Sequence, residues 1–77
     1  MMANPSKNPI NPRKLLQSKW TAVEPRNREK HFLVTEVHVD EAGVPQTCTL
    51  EAIYSGRERL LPWRELKDAS QWRMGWV

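Results

Sequence analysis

A chain of 77 residues with one cysteine, Cys48, must hold its fold by apolar burial alone. A single thiol forms no internal disulfide, and no C-x-x-C pair is present to grip zinc. A domain this short buries only about 60% of the surface its unfolded chain exposes, so its core has to be dense in large side chains. Four tryptophans, Trp20, Trp63, Trp72 and Trp76, meet that need. Each large aromatic buries roughly 150–250 Å².

The apolar pattern reads as strands. His31–Asp40 is rich in Val, Phe and Thr, and Thr47–Tyr54 returns after Asp40-Glu41-Ala42-Gly43. That tetrapeptide predicts a type I turn closed by Gly43 in the left-handed region. If Asp40 faces Val44, then Val34 faces Leu50, Phe32 faces Ala52 and Glu36 faces Cys48. Phe32, Val34, Cys48, Leu50 and Ala52 then share the core face. The opposite face, with Leu33, Val37 and Val39, is too apolar for plain solvent exposure, which calls for a bulge near Thr35-Glu36 or a bend around a barrel. Lys19–Val23 reads as a strand stopped by Glu24-Pro25, with Pro25–Glu29 a polar loop. Arg57–Leu61 follows Ser55-Gly56 as a strand, with Leu61 on the core face. Pro62–Leu66 reads as a helical turn, and Gln71–Val77 as either a last strand or a helix, since Trp72 and Trp76 share a face in both.

Three Asn-Pro steps at the start make residues 1–12 a flexible tail, with residues 13–77 one domain. Asn11 is suited to cap a short helical turn over Pro12–Gln17, anchored by Leu15 and Leu16. The expected fold is all-β: a small SH3-like or Tudor-like, partly open barrel of four to five antiparallel strands, with one helical turn before the last strand. Such an architecture hosts many functions.

The net charge of +3 is unevenly spread. Residues 1–30 carry seven basic and two acidic side chains, residues 31–55 four acidic and no basic ones, and residues 56–77 five basic and three acidic ones. The start has no apolar run of a signal peptide and no stretch is long enough to span a membrane, so a cytoplasmic protein without membrane attachment is expected. The lone thiol suits a reducing compartment. An uncapped edge strand allows a monomer or a weak dimer.

The segments Lys14–Val23, Glu29–Val34, Leu61–Asp68 and Trp72–Trp76 together resemble a family of short tryptophan-rich bacterial proteins of unknown function, over about residues 13–77. The resemblance implies one compact cytoplasmic domain and brings no activity, cofactor or partner with it.

No enzyme is expected, and no cofactor. Glycine-rich phosphate loops are missing: Gly43, Gly56 and Gly75 lie far apart. Glu36, His38 and Cys48 share a face near the hairpin tip in the register above, a distant candidate for a thiol nucleophile with its base or for a metal. They lack a fourth ligand and an oxyanion-binding loop. His31, seven residues from His38, faces the other way in a regular strand. The favoured role is a non-catalytic module that binds a protein or peptide through an aromatic groove of Tyr54, Trp63 and Trp72, with Trp76, Arg59, Arg64 and Arg73 beside it. The alternative is nucleic-acid binding, with bases stacked on exposed Trp and phosphates held by Lys7, Arg13, Lys14, Lys19, Arg26 and Arg28.

Overall fold

The computed structural model describes residues 7–77. Strands β1 (Lys19–Arg26), β2 (Glu29–Val39), β3 (Pro45–Ala52), β4 (Glu58–Pro62) and β5 (Trp72–Met74) form one antiparallel sheet in the order β4-β3-β2-β1-β5. The sheet is not closed, because β4 and β5 are its two unpaired edges. A 3-10 turn, η1 (Pro12–Lys14), precedes β1, and a second, η2 (Trp63–Lys67), leads into β5. The mostly-β, partly open architecture and the helical turn before the last strand agree with the sequence. Among the described residues no helix is long and apolar enough to cross a membrane.

The β2–β3 hairpin shows both the strength and the limit of the register argument. The turn is the expected one: the Gly43 amide donates to Asp40 O at 2.9 Å, the Asp40 amide donates to Val44 O at 3.0 Å, and Gly43 has φ +79°. Phe32 faces Ala52 and Val34 faces Leu50, as read from the sequence. Then Thr35 bulges out, and beyond it Glu36 faces Thr49, Val37 faces Cys48 and His38 faces Thr47. The pairing of Glu36 with Cys48 is therefore corrected by one residue. The bulge exchanges faces, so Val37 packs against the core with Val34 and Phe32. It also cancels the odd spacing of the histidines, placing His31 and His38 on the same outer face.

β1 runs further than expected. It continues through Pro25 to Arg26 instead of ending at Val23. Its pairing with β2 shifts register between Thr21 and Arg26, so residues 22–25 bow away from β2. Pro25 is tolerated there because the bow asks for no ladder N–H. Asn27 and Arg28 then close a two-residue hairpin turn with φ +55° and +63°, in place of the loop expected over residues 25–29. Both positive φ values are those of a type I′ turn, whose twist matches the flanking strands.

The core lies on one face of the sheet, where Trp20, Phe32, Leu50, Leu66 and Val34 are almost fully buried. Leu15 joins them, but Leu16 points to solvent, since η1 spans only three residues and presents a single apolar anchor. Asn11 caps it, accepting from the Arg13 amide at 3.0 Å. Within the stretch assigned to a tail, residues 1–6 lie outside the described residues. From Lys7 onward the chain runs along η2: Lys7 bridges Asp68, and the Asn8 side chain donates to Leu66 O at 2.7 Å and Trp72 O at 2.9 Å.

Candidate partner-binding cleft

The open edge of the sheet holds a cleft of about 520 Å³. Phe32 of β2 and Trp72 of β5 contribute its apolar surface, meeting edge to face with centroids 5.3 Å apart at 83°. The bowed part of β1 supplies Ala22 and Glu24, the hairpin turn supplies Arg26, Asn27 and Glu29, and β4 with the residue before it supplies Arg57 and Arg59. The Arg59 guanidinium carbon lies 5.9 Å from the Phe32 ring and 5.7 Å from the Trp72 ring, so one cation crosses the gap from β4 towards β5. At that range a ring face attracts a cation.

Glu29 is the one buried acidic side chain of the wall. Its Oε2 accepts from Ser55 Oγ and lies 3.6 Å from Arg57 Nε. Arg57 is thereby committed to a partner inside the molecule. Among the described residues Arg26 and Arg59 form no ion pair. Arg28, on the adjacent turn, reaches only the Tyr54 hydroxyl, at 3.5 Å.

The aromatic residues expected to line one groove are dispersed. Trp72 is in the cleft, 3% exposed. Tyr54 is 65% exposed in the connection that follows β3. Trp63 lies buried at the opposite end of β3, where its Nε1 donates to Pro45 O at 3.0 Å. Arg64 and Lys67 cover the Trp63 ring at 5.3 and 5.2 Å. Trp76 is 40% exposed and folds onto the outer face, donating from Nε1 to Phe32 O at 2.9 Å. Lys19 sits 4.8 Å from its ring and His31 6.0 Å. Arg73 faces outward opposite Thr21 in β5.

The basic residues are split as well. Arg13 and Lys14 lie on η1, before the first residue of β1, while Arg26 and Arg28 lie at its far end. A strand of eight residues separates them by roughly 25 Å at the usual rise. Sequence reasoning did not find Phe32 and Arg57 as cleft residues. Phe32 carries only a core signal, and Arg57 gains meaning only once the sheet brings it to Glu29.

Glu36, His38 and Cys48 do not converge. Cys48 is fully buried in the core, and its thiol is pushed up to about 11 by burial, with Glu65 adding to the effect. His38 is on the other face, 3.1 Å from Thr49 Oγ1 and 3.7 Å from Glu36. A buried thiol far above neutral pH stays protonated and is a poor nucleophile. Among the described residues no three His, Cys, Asp or Glu side chains gather as a metal site.

Fold and cleft define a small mostly-β protein built on one open antiparallel sheet, with a mixed arginine and aromatic surface at the opening. The chain belongs to the Tryptophan-rich protein (DUF2389) family, whose model matches residues 18–77. No curated protein and no solved structure matches it.

Proposed function

We propose that this protein is a non-catalytic interaction module of SH3-like connectivity that binds a protein or peptide partner in the cleft between β4 and β5. The observation that carries this reading is Arg59. It is exposed, has no carboxylate partner among the described residues, and lies over two aromatic rings at the mouth of a cleft. Arginine beside buried aromatic surface is the composition in which binding energy concentrates at protein interfaces. Support for the SH3-like assignment comes from the strand order, with β5 beside β1 and a 3-10 turn between β4 and β5. The lone reduced thiol supports a cytoplasmic location. Against nucleic acid stands the division of the basic residues between the two ends of β1, which leaves no single phosphate track.

Selection of phage-displayed peptides tests this, run in parallel on the wild type and on Arg59→Glu, with circular dichroism to show that both are folded. Peptides retained by the wild type and lost by the variant support the reading. Enrichment indifferent to Arg59 overturns it. Single-stranded RNA and DNA, titrated by tryptophan fluorescence at low and physiological salt, are the counter-test. Binding that falls log-linearly with salt replaces the peptide reading by the nucleic-acid one.

A further inference from the structure

We infer that the cleft takes an extended peptide of alternating acidic and apolar residues, added as a sixth strand along the free edge of β4; this rests on the cleft being a partner site. β4 is an edge strand of five residues. Its pairing with β3 fixes which backbone groups are spent. The Ala52 amide donates to Arg57 O at 2.8 Å, and the register places Leu50 opposite Arg59 and Cys48 opposite Leu61. In an antiparallel ladder the alternate residues turn their N–H and C=O the other way. Glu58 and Leu60 therefore present unpaired amides and carbonyls along the edge. Pro62 falls at the next such position, where its missing N–H ends the ladder after two donors. β5 offers less, with three residues and then Gly75 in the left-handed region.

The side chains of β4 alternate too. Arg57, Arg59 and Leu61 point to the cleft and core side, and Glu58, Leu60 and Pro62 to the outer side. An added strand would share this alternation, so every second side chain would enter the space beside Arg59, over Trp72 and across from Arg26. The unpaired guanidinium groups select carboxylates at those positions, since charge-assisted hydrogen bonds to arginine are the strong ones. The intervening side chains would flank Leu60, which is 66% exposed and asks for an apolar neighbour. Backbone pairing supplies affinity and alternate side chains supply specificity in this mode of recognition.

The probe is an eight-residue peptide of alternating Glu and Val carrying a fluorophore. Its control has the same composition in two blocks. Affinity is read by anisotropy, and the exchange of the Glu58 and Leu60 amides by NMR. The alternating peptide should bind about tenfold or more tightly than the block peptide, and Arg59→Glu should weaken it by about tenfold or more, the scale of one hydrogen bond to a charged group. Exchange of both amides should slow on binding. Tighter binding of the alternating peptide without protection of Glu58 and Leu60 overturns strand addition and leaves the cleft reading standing. Protection that persists in Arg59→Glu with unchanged affinity removes the cleft's role. Equal binding of both peptides, or none, overturns the alternation. Protection of the same amides by raising protein concentration alone identifies a second copy as the occupant and overturns the peptide proposal.

Discussion

The two ends of the sheet are built on opposite terms. At the end near the β2–β3 turn, Trp63 closes Pro45 O with its indole N–H. A recess of about 470 Å³ there is lined mainly by Pro12, Leu16, Val37, Val39 and Pro45. At the other end the wall is charged, the turn holds two non-glycine residues at positive φ, and an arginine crosses the gap that a strand pairing would otherwise close. One end gathers satisfied polar groups around a buried indole. The other lines an opening with arginines beside an aromatic pair, and Arg26 and Arg59 there have no carboxylate partner among the described residues. The two ends of the same strands thus differ in how far their polar groups are satisfied within the molecule.

The sharpest way to break this division is to exchange the roles of Trp63 and Arg59. Trp63→Ala removes a buried indole and orphans Pro45 O, which should cost about 3–5 kcal/mol. In a domain of this size each kcal/mol shifts Tm by roughly 4–8 °C, so the variant should be largely unfolded at 37 °C. Arg59→Ala should cost under about 1 kcal/mol, because its contacts are solvent-exposed. Urea denaturation followed by tryptophan fluorescence measures both. A large loss at Arg59 would mean that the guanidinium closes the core rather than awaiting a partner.

The same contrast explains how much could be read from the sequence. The hairpin turn, the core side chains Phe32, Val34, Cys48 and Leu50, and the helical turn at Trp63 are local signals, legible in apolar alternation and turn chemistry. The pairing of Glu36 with Cys48 failed because the register was carried straight through Thr35: the apolar outer face called for a bulge near Thr35-Glu36 or a bend, and the bulge, once formed, shifts every pair beyond it. The bow in β1 was illegible for a related reason. Pro25 stops a paired strand but not an unpaired one, and pairing is a tertiary fact. The cleft is the least local feature: Arg59, Phe32, Trp72 and Arg26 come from four strands. Composition could indicate arginine and tryptophan, but not that Trp63 would lie at the opposite end of β3 from Tyr54.

Asn8 offers a smaller test of internal polar satisfaction, since it lies outside the matched family segment and yet ties η2 to β5. Asn8→Ala should cost about 1–2 kcal/mol, two hydrogen bonds at the usual net value. A loss near zero in chemical denaturation would show that this segment is carried passively. At the charged end, Glu29→Gln keeps an acceptor for Ser55 but withdraws the charge beside Arg57. It should cost about 1 kcal/mol in the same assay. It also frees Arg57 to face the cleft, so an acidic ligand should bind more tightly to the variant.

The smallest effect is the most pointed, because its sign is reversed. Arg28 has φ +63° in the type I′ turn, a region where a side chain costs about 1 kcal/mol or more and glycine costs none. Glycine in turn loses more freedom on folding, which offsets part of the gain. Arg28→Gly should therefore stabilise the fold by about 0.5 kcal/mol, a shift of a few degrees in Tm. Among the described residues, the hydrogen bond given up is the long one to the Tyr54 hydroxyl, at 3.5 Å and exposed. If the arginine is kept there for a partner, the stabilised variant should bind acidic ligands less well, the usual exchange between stability and activity at a strained site. A variant that is both less stable and unchanged in binding would mean that Arg28 is held by its neighbours for the fold, and that the division between the two ends stops short of this turn.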